Sequence, residues 1–462
     1  MEYDNKTKTS VLIATSIASF LTPFMGSALN ISLLTIGKEF NLKALDLNWI
    51  ITAYMLSIAA FLMPMGHLAD VVSRKKIFVW GLFLSSIMAL LSGFAYDGVS
   101  LITIRAIHGL TSAMTFSSAV ALLISVYPPQ TRGKILGINV SFVYIGLTLG
   151  PIIGGFITEQ LNWRFIFYIV ALLGFISCLM IKIKLNKIEE EPIKRKFDFS
   201  GSLFYTTSIG LGLYSISTIN TSIYSKYTLI ISVLLLGFFI RLMLKSKNAL
   251  LNLYLFKNIS FAYSNMAALI HYSAISAITF LLALYLQVIK GLSPQKAGFI
   301  LLIQPLLMAV LSPQAGKLSD KMEPRLLASL GMAFTFIGIL CLIFVTQDTS
   351  LTMIVLILVI IGIGFGFFSS PNTNAVMSSV EKAFYGTASS TLGTMRILGQ
   401  TTSMALVTFF FSIYLANVPI VSATHELILA SMKISFITFA VLCFLGIFIS
   451  IIRGKVHSAN NS

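Results

Sequence analysis

The sequence predicts an all-α polytopic membrane protein. Two observations carry that prediction. Of 462 residues, 56% are hydrophobic and only 10% are charged. Apolar runs of about 20 residues recur from end to end, each long enough to cross a bilayer as a helix. In lipid a backbone must satisfy its own hydrogen bonds, which leaves helices and closed barrels, and these runs do not alternate as barrel strands do. A soluble domain of this length is excluded by the same composition.

Fourteen spans are placed near 11–34, 47–67, 77–96, 99–126, 133–157, 163–183, 199–218, 225–245, 260–287, 295–318, 325–347, 351–371, 384–415 and 427–452. The first run exceeds the length of a cleaved signal core and is read as a retained span. The net charge of +16 suggests nucleic acid until its distribution is followed. With the N-terminus placed in the cytoplasm, 23 of the 32 Lys and Arg fall in cytoplasmic segments, about 6 in outer loops and three inside spans. That is the positive-inside pattern, so the basic excess reports topology. A plasma-membrane protein with both termini cytoplasmic, lipid contacts and no nucleic-acid partner is expected. Cys178, Cys341 and Cys443 lie in apolar runs, and neither a disulfide framework nor a metal site follows. No cofactor is expected, and no phosphate-binding loop is present.

Taken in order, a short polar tail precedes span 1, which contains Asn30 and no carboxylate. Trp49 anchors the outer end of span 2, which closes in GHLADVVSRKK, Gly66 to Lys76. Span 4 holds Arg105 in an otherwise apolar run. A charge at that depth costs about 3 kcal/mol on insertion scales, so it is a functional hypothesis by default. His108 lies three residues on and shares its helix face. That puts the one side chain type that titrates near neutrality beside a fixed cation, the pairing a proton switch uses. A histidine satisfied by packing is the plain alternative. Span 5 carries Gly146, Gly150 and Gly154 four residues apart, a smooth strip on which another helix packs closely. Pro151 removes the backbone bond to the Leu147 carbonyl and predicts a bend.

The mixed-charge stretch from Lys182 to Asp198 reads as a solvated hinge. Beyond it, GKLSDKMEPR at Gly316–Arg325 repeats GHLADVVSRK at Gly66–Lys75 with an offset of 250 residues. An internal repeat predicts two related bundles. The expected domains are a six-span bundle at 1–183, a linker with two extra spans at 184–259, and a second six-span bundle at 260–462.

These segments resemble a known family. GHLADVVSRKK resembles the cytoplasmic signature of the major facilitator superfamily between spans 2 and 3, and RAIHG resembles its span-4 signature. GLTLGPIIGG, Gly146 to Gly155, resembles the antiporter signature of its exporters. Ala283 to Leu302 and Gly386 to Gln400 resemble spans 9–10 and 13 of the fourteen-span drug:proton antiporters, the multidrug efflux family. The resemblance implies the major facilitator fold, two six-helix bundles plus two extra central spans. It implies alternating access and export of small amphipathic compounds in exchange for protons, without enzyme chemistry. Three positions depart from the pattern. His108 replaces a glutamine, Ser73 a glycine, and Met25 stands where the family often has an aspartate.

On this reading Arg105 and His108 couple protons. Gly66, Asp70, Arg74 and Lys75, with Gly316, Asp320 and Arg325 of the repeat, form a cytoplasmic latch. A plain turn with basic anchors is the alternative there. Gly146, Gly150, Pro151, Gly154 and Gly155 make the antiporter helix. Asn30, Tyr54, His271, Gln304 and Arg396 are candidates to line the substrate cavity, although mid-membrane polar groups also serve as bonds between helices. None of the sixteen Asp and Glu falls in the middle third of a span. A buried cation needs a partner, so the pattern favours neutral, zwitterionic or anionic amphipaths over permanent dications. A monomer is expected. The weaker alternatives are a dedicated exporter of one metabolite or lipid, and a non-transporting membrane sensor. An intramembrane enzyme is disfavoured, since no paired carboxylates or HExxH sit at depth.

Overall fold

The computed structural model describes residues 4–127, 132–184, 197–220, 222–245, 250–251, 253–319, 321–381, 384–415 and 424–454. Regular structure among them is helical: α1 Asn5–Glu39, α2 Ala44–Val72, α3 Arg74–Gly93, α4 Gly98–Val126, α5 Arg132–Gln160, α6 Arg164–Lys184, α7 Phe199–Thr218, α8 Ser225–Lys245, α9 Ile259–Ile275, α10 Ile278–Leu284, α11 Pro294–Leu301, α12 Ile303–Ser319, α13 Pro324–Leu342, α14 Leu351–Ser378, α15 Tyr385–Tyr414 and α16 His425–Ile452. A π-turn at Tyr285–Ile289 continues α10.

Counting α9–α10 and α11–α12 as one rod each, fourteen rods stand where fourteen spans are expected. Thirteen are long and apolar enough to cross a membrane. The exception is α7, whose serines and threonines dilute its hydropathy. Those hydroxyls are spent on carbonyls: Thr207 Oγ1 donates to Leu203 O, and Thr206 Oγ1 and the Tyr205 hydroxyl donate to Ala60 O and Ala59 O of α2.

Two expected spans are interrupted. Span 9 breaks between Ile275 and Ile278, where the Ala277 N–H leaves the helical ladder and donates to Ser403 Oγ of α15 at 3.0 Å. The tenth rod breaks at Leu302, three residues before Pro305, which offers no N–H to the Leu301 carbonyl. Helix α5, by contrast, runs unbroken through Pro151. Asp320 and most of the charged linker, 185–196, lie outside the described residues.

The chain divides into two compact units. The first comprises Met1–Leu42, Asp46–Ser215 and Lys226–Leu250. In it α1 packs along α5, α6 and α4, and α3 lies on α4 and α6. The glycine strip explains the closest of these contacts. A Cβ at Gly146 would stand 2.5 Å from the Phe20 carbonyl, one at Gly150 2.8 Å from the Phe24 carbonyl, and one at Gly154 2.6 Å from Ala28 Cα. With no side chain there, Ser27 Oγ reaches the Gly146 carbonyl at 3.4 Å, and Ser32 and Thr158 hydroxyls meet at 2.6 Å. One end of the unit is stapled by Glu39, which accepts from Trp163 Nε1 at 2.6 Å and pairs with Arg164 at 2.7 Å.

The second unit comprises Lys43–Leu45, Ile216–Ser225 and Leu251–Ser462. Here α14 packs on α13 and α12, and α9 on α15 and α16. Gly331 and Gly364 face one another across α13 and α14, and Gly399 lets α15 press on Leu269 and Tyr272 of α9.

Candidate functional site

The polar centre of the first unit assembles around Arg105. It lies about 11 Å along α4 at the helical rise per residue, and it is 1% exposed. One turn on, Gly109 admits the α2 backbone, since a Cβ there would stand 2.3 Å from the Tyr54 carbonyl. That close approach lays the Tyr54 ring under the guanidinium, 3.8 Å from Cζ. Phe167 of α6 covers another side at 5.9 Å.

Arg105 makes no ion pair among the described residues. Its Nε donates to the Ile50 carbonyl at 3.4 Å, and its Nη1 meets Met25 Sδ at 3.5 Å and His108 Nδ1 at 3.2 Å. A guanidinium only donates. His108 Nδ1 therefore accepts, and the proton of the neutral ring sits on Nε2, which is 3.0 Å from Ser85 Oγ of α3. This tautomer follows from the hydrogen-bond network. Ser85 and Ser112 hydroxyls lie 3.3 Å apart, and the Tyr54 hydroxyl donates to Ser112 at 3.1 Å. Beside the chain is a cavity of about 20 Å³ lined by Thr22, Met25, Ser85, Ser86, His108, Ser112 and Thr115 among others. That volume is large enough for a single water, and the hydroxyls supply the partners such a water would require.

Met25 is placed by the glycine strip. By holding α1 against α5, Gly146, Gly150 and Gly154 set the α1 register that brings a thioether to Arg105, where the resemblance has a carboxylate. Pro151 and Gly155 are buried on the same helix. Asn30, one and a half turns beyond Met25, is half-buried, with its Oδ1 hydrogen-bonded to none of the described residues.

The remaining candidates separate. Asp70, near the end of α2, pairs with Arg74, the first residue of α3, at 2.8 Å, both exposed or half-exposed. Lys75 follows in the first turn of α3. Gly66 faces Ser117, and a Cβ on Gly316 would stand 2.7 Å from Ser370 Oγ of α14. Arg325 opens α13, its Nε buried without a hydrogen bond among the described residues.

In the second unit, His271 is fully buried and stacked on Phe368 at 3.9 Å. Its Nε2 is 3.3 Å from Thr335 Oγ1 of α13, a bond between helices. Gln304 is buried on α12 against Gly362 of α14. Arg396, half-buried on α15, donates to Thr373 of α14 and lies 5.7 Å from the Tyr272 ring.

Sequence reasoning missed Arg453. Next to the end of α16 it reads as one more basic anchor, yet it is 0% exposed and donates to Asn372 at 2.7 Å and Ser264 at 3.4 Å. Position near a helix end carries no signal for whether that end is sunk into its neighbours. Ser85 and Ser112 were missed as well, because single serines in apolar helices are common.

The family model for the Major Facilitator Superfamily matches residues 15–404. The chain belongs to this superfamily. It is a multi-pass membrane transporter of small molecules and not an enzyme. The chain is 32% identical over 453 residues to the riboflavin transporter RibZ of Clostridioides difficile, covering 96% of this chain and 97% of that one. It is 27% identical over 410 residues to the multidrug resistance protein Stp of Mycobacterium tuberculosis, covering 87% and 76%. Among solved structures, a bacterial homologue of the human lysosomal transporter Spinster aligns with a TM-score of 0.70 over 98% of both chains, at 16% identity. That likeness concerns the fold.

Proposed function

We propose that this transporter exports small amphipathic compounds across the plasma membrane in exchange for protons, with both termini in the cytoplasm. The observation that carries the reading is the direct contact between Arg105 Nη1 and His108 Nδ1. Protonating Nδ1 removes the acceptor and sets two cations about 3 Å apart in a buried site, so the contact and the proton exclude one another. A proton arriving from the outer side displaces Arg105 from His108, and the displacement is the conformational signal. The hydroxyls and the small cavity between Thr22 and Thr115 give the proton a route to the ring. The glycine strip lets α5 and α1 slide without side chains to unlock, and the Asp70–Arg74 pair latches one state.

The energy is sufficient. An inward proton at 100 mV releases about 2.3 kcal/mol, and a pH unit adds about 1.4 kcal/mol. Together they support an outward gradient of several hundredfold.

The test is substrate-induced proton movement in reconstituted vesicles, read with a lumenal pH dye against neutral, anionic and cationic compounds. The wild type is expected to release protons. Arg105→Ala is expected to abolish the signal. His108→Gln keeps an acceptor for Arg105 but takes no proton, so it should bind substrate and lose the pH dependence of transport. Equilibration of a labelled substrate with no proton movement would overturn the coupling.

A second reading, a carrier dedicated to one metabolite, is favoured by the near full-length similarity to a riboflavin transporter. Saturable movement of a single flavin-like compound, with none of the drug panel moved, would decide for it.

A further inference from the structure

The hydrogen bonds around Arg105 run outward from its charge and end at a cavity. Arg105 Nη1 donates to His108 Nδ1, and the His108 Nε2–H points to Ser85 Oγ. From the other side the Tyr54 hydroxyl donates to Ser112 Oγ, and the Ser85 and Ser112 oxygens lie 3.3 Å apart. This relay has one proton too many. Each serine already accepts a hydrogen bond, and only one of the two hydroxyls can donate to the other. The second hydroxyl proton has no acceptor among the described residues. Both serines line the cavity of about 20 Å³.

The charge at the head of the relay has no ion-pair partner among the described residues. Met25 and His108 both touch Arg105 and both line the cavity, so one side chain separates the guanidinium from it. The charged and titratable groups facing His108 are Arg105 on its own helix and Tyr54 of α2, whose ring centroid lies 5.3 Å away. Helices α1, α3 and α6 line the cavity with uncharged side chains. A fixed cation, dipoles directed away from it and a spare hydroxyl proton make this an electropositive hole. A water fits the volume but leaves the buried charge uncompensated. A small anion, little larger than water, supplies the counter-charge. Leu21, Leu82 and the Met25 thioether among the walls suit a weakly hydrated, polarisable ion. We propose that the cavity binds one halide ion, held by the Ser85 and Ser112 hydroxyls as the counter-charge of Arg105. The consequence rests on the proton reading above: an anion beside His108 attracts the proton that Arg105 repels, so proton and halide load together.

The binding test uses the full-length protein in detergent at constant ionic strength, with potassium gluconate replaced stepwise by chloride or bromide. A ligand that binds only the folded state raises Tm saturably. The wild type is expected to show that rise in both halides and not in sulfate, which is too large for the cavity. Ser112→Ala should raise the half-saturating halide concentration about tenfold or more, the scale of a lost hydrogen bond to a charged group. Ser112→Thr keeps the hydroxyl and should stay near the wild type. Met25→Asp brings a fixed carboxylate to Arg105 and should abolish the halide-dependent rise. Each rise is read against the variant's own Tm in gluconate, so a purely structural loss does not move it. No saturable rise in the wild type would overturn the site. A rise that survives unchanged in both Ser112→Ala and Met25→Asp would overturn it too. In vesicles the wild type is expected to release protons faster in chloride than in gluconate, a difference lost in Ser112→Ala. A halide-dependent Tm with no proton movement in either salt would sink the proton reading and keep the anion site. Proton movement indifferent to halide, with no Tm rise, would do the reverse.

Discussion

Arg105 shows how one residue sets the electrical problem of the first unit. Its charge is buried against a thioether, a carbonyl, an imidazole and two rings. None of these neutralises it. Met25→Asp would place a carboxylate at the Sδ position, 3.5 Å from Nη1. The variant is expected to gain up to about 3 kcal/mol, because an uncompensated buried charge acquires a partner, and to melt higher in detergent. It should also lose proton coupling, since the paired arginine no longer leans on His108. A lower melting temperature would refute this account of Arg105. At the helix start, Ser100 N–H donates to Asp97 at 2.7 Å and its hydroxyl meets the Asp97 N–H at 3.2 Å. The Ser100 backbone N–H, with its side chain second, holds the Asp97 carboxyl below its ordinary range. The folded value lies under the unfolded one, so the contribution is present above about pH 4 and is lost as pH falls through the depressed value. Melting curves at descending pH should show this acid limb, flattened in Asp97→Asn.

At the level of helices, the contact of α1 with α5 is the one most exposed to single changes. Gly150→Ala puts its methyl 2.8 Å from the Phe24 carbonyl and 1.8 Å from Ser27 Oγ. The hydroxyl can rotate, but the backbone carbonyl cannot. The expected cost is about 1–3 kcal/mol, with transport falling as the helices separate. Adding Ser27→Ala should recover only part of it. Gly393→Ala in α15, where nothing lies within 4 Å, should instead stabilise by about 0.5–1 kcal/mol through helix propensity. The broken span 9 gives a converse test. Ser403→Ala leaves the Ala277 N–H without its acceptor, an expected loss of about 1–3 kcal/mol visible as faster amide exchange at that break.

At the scale of the molecule, much was legible in the sequence. Recurring apolar runs predicted the rods, and thirteen of the fourteen meet a membrane-spanning composition. The repeat of Gly66–Lys75 at Gly316–Arg325 and the GLTLGPIIGG strip pointed to a family that the match over residues 15–404 shows. The site was legible in part. Arg105 and His108 were singled out because charge in an apolar run is conspicuous, and they prove to be in contact. Tyr54 joins them by a path that sequence spacing does not show, through the glycine at position 109 that admits its backbone. His271 stands out in the same way, yet it is packed against Phe368 and Thr335 inside its own unit.

Helix number, the bias of basic residues and the absence of embedded acid follow from composition along the chain. Lipid forces each backbone bond inside its own segment, so a span is a local property that a window of residues can report. Which arginine is sealed, which keeps a donor free, and which sits under its neighbours near the end of α16 are properties of contacts between residues far apart in sequence. Met25 reaches Arg105 across 80 positions, and Asn372 reaches Arg453 across 81. Close approaches at Gly109 and Gly150 bring α2 and α1 to the Arg105 site, and only the folded arrangement of helices contains these meetings.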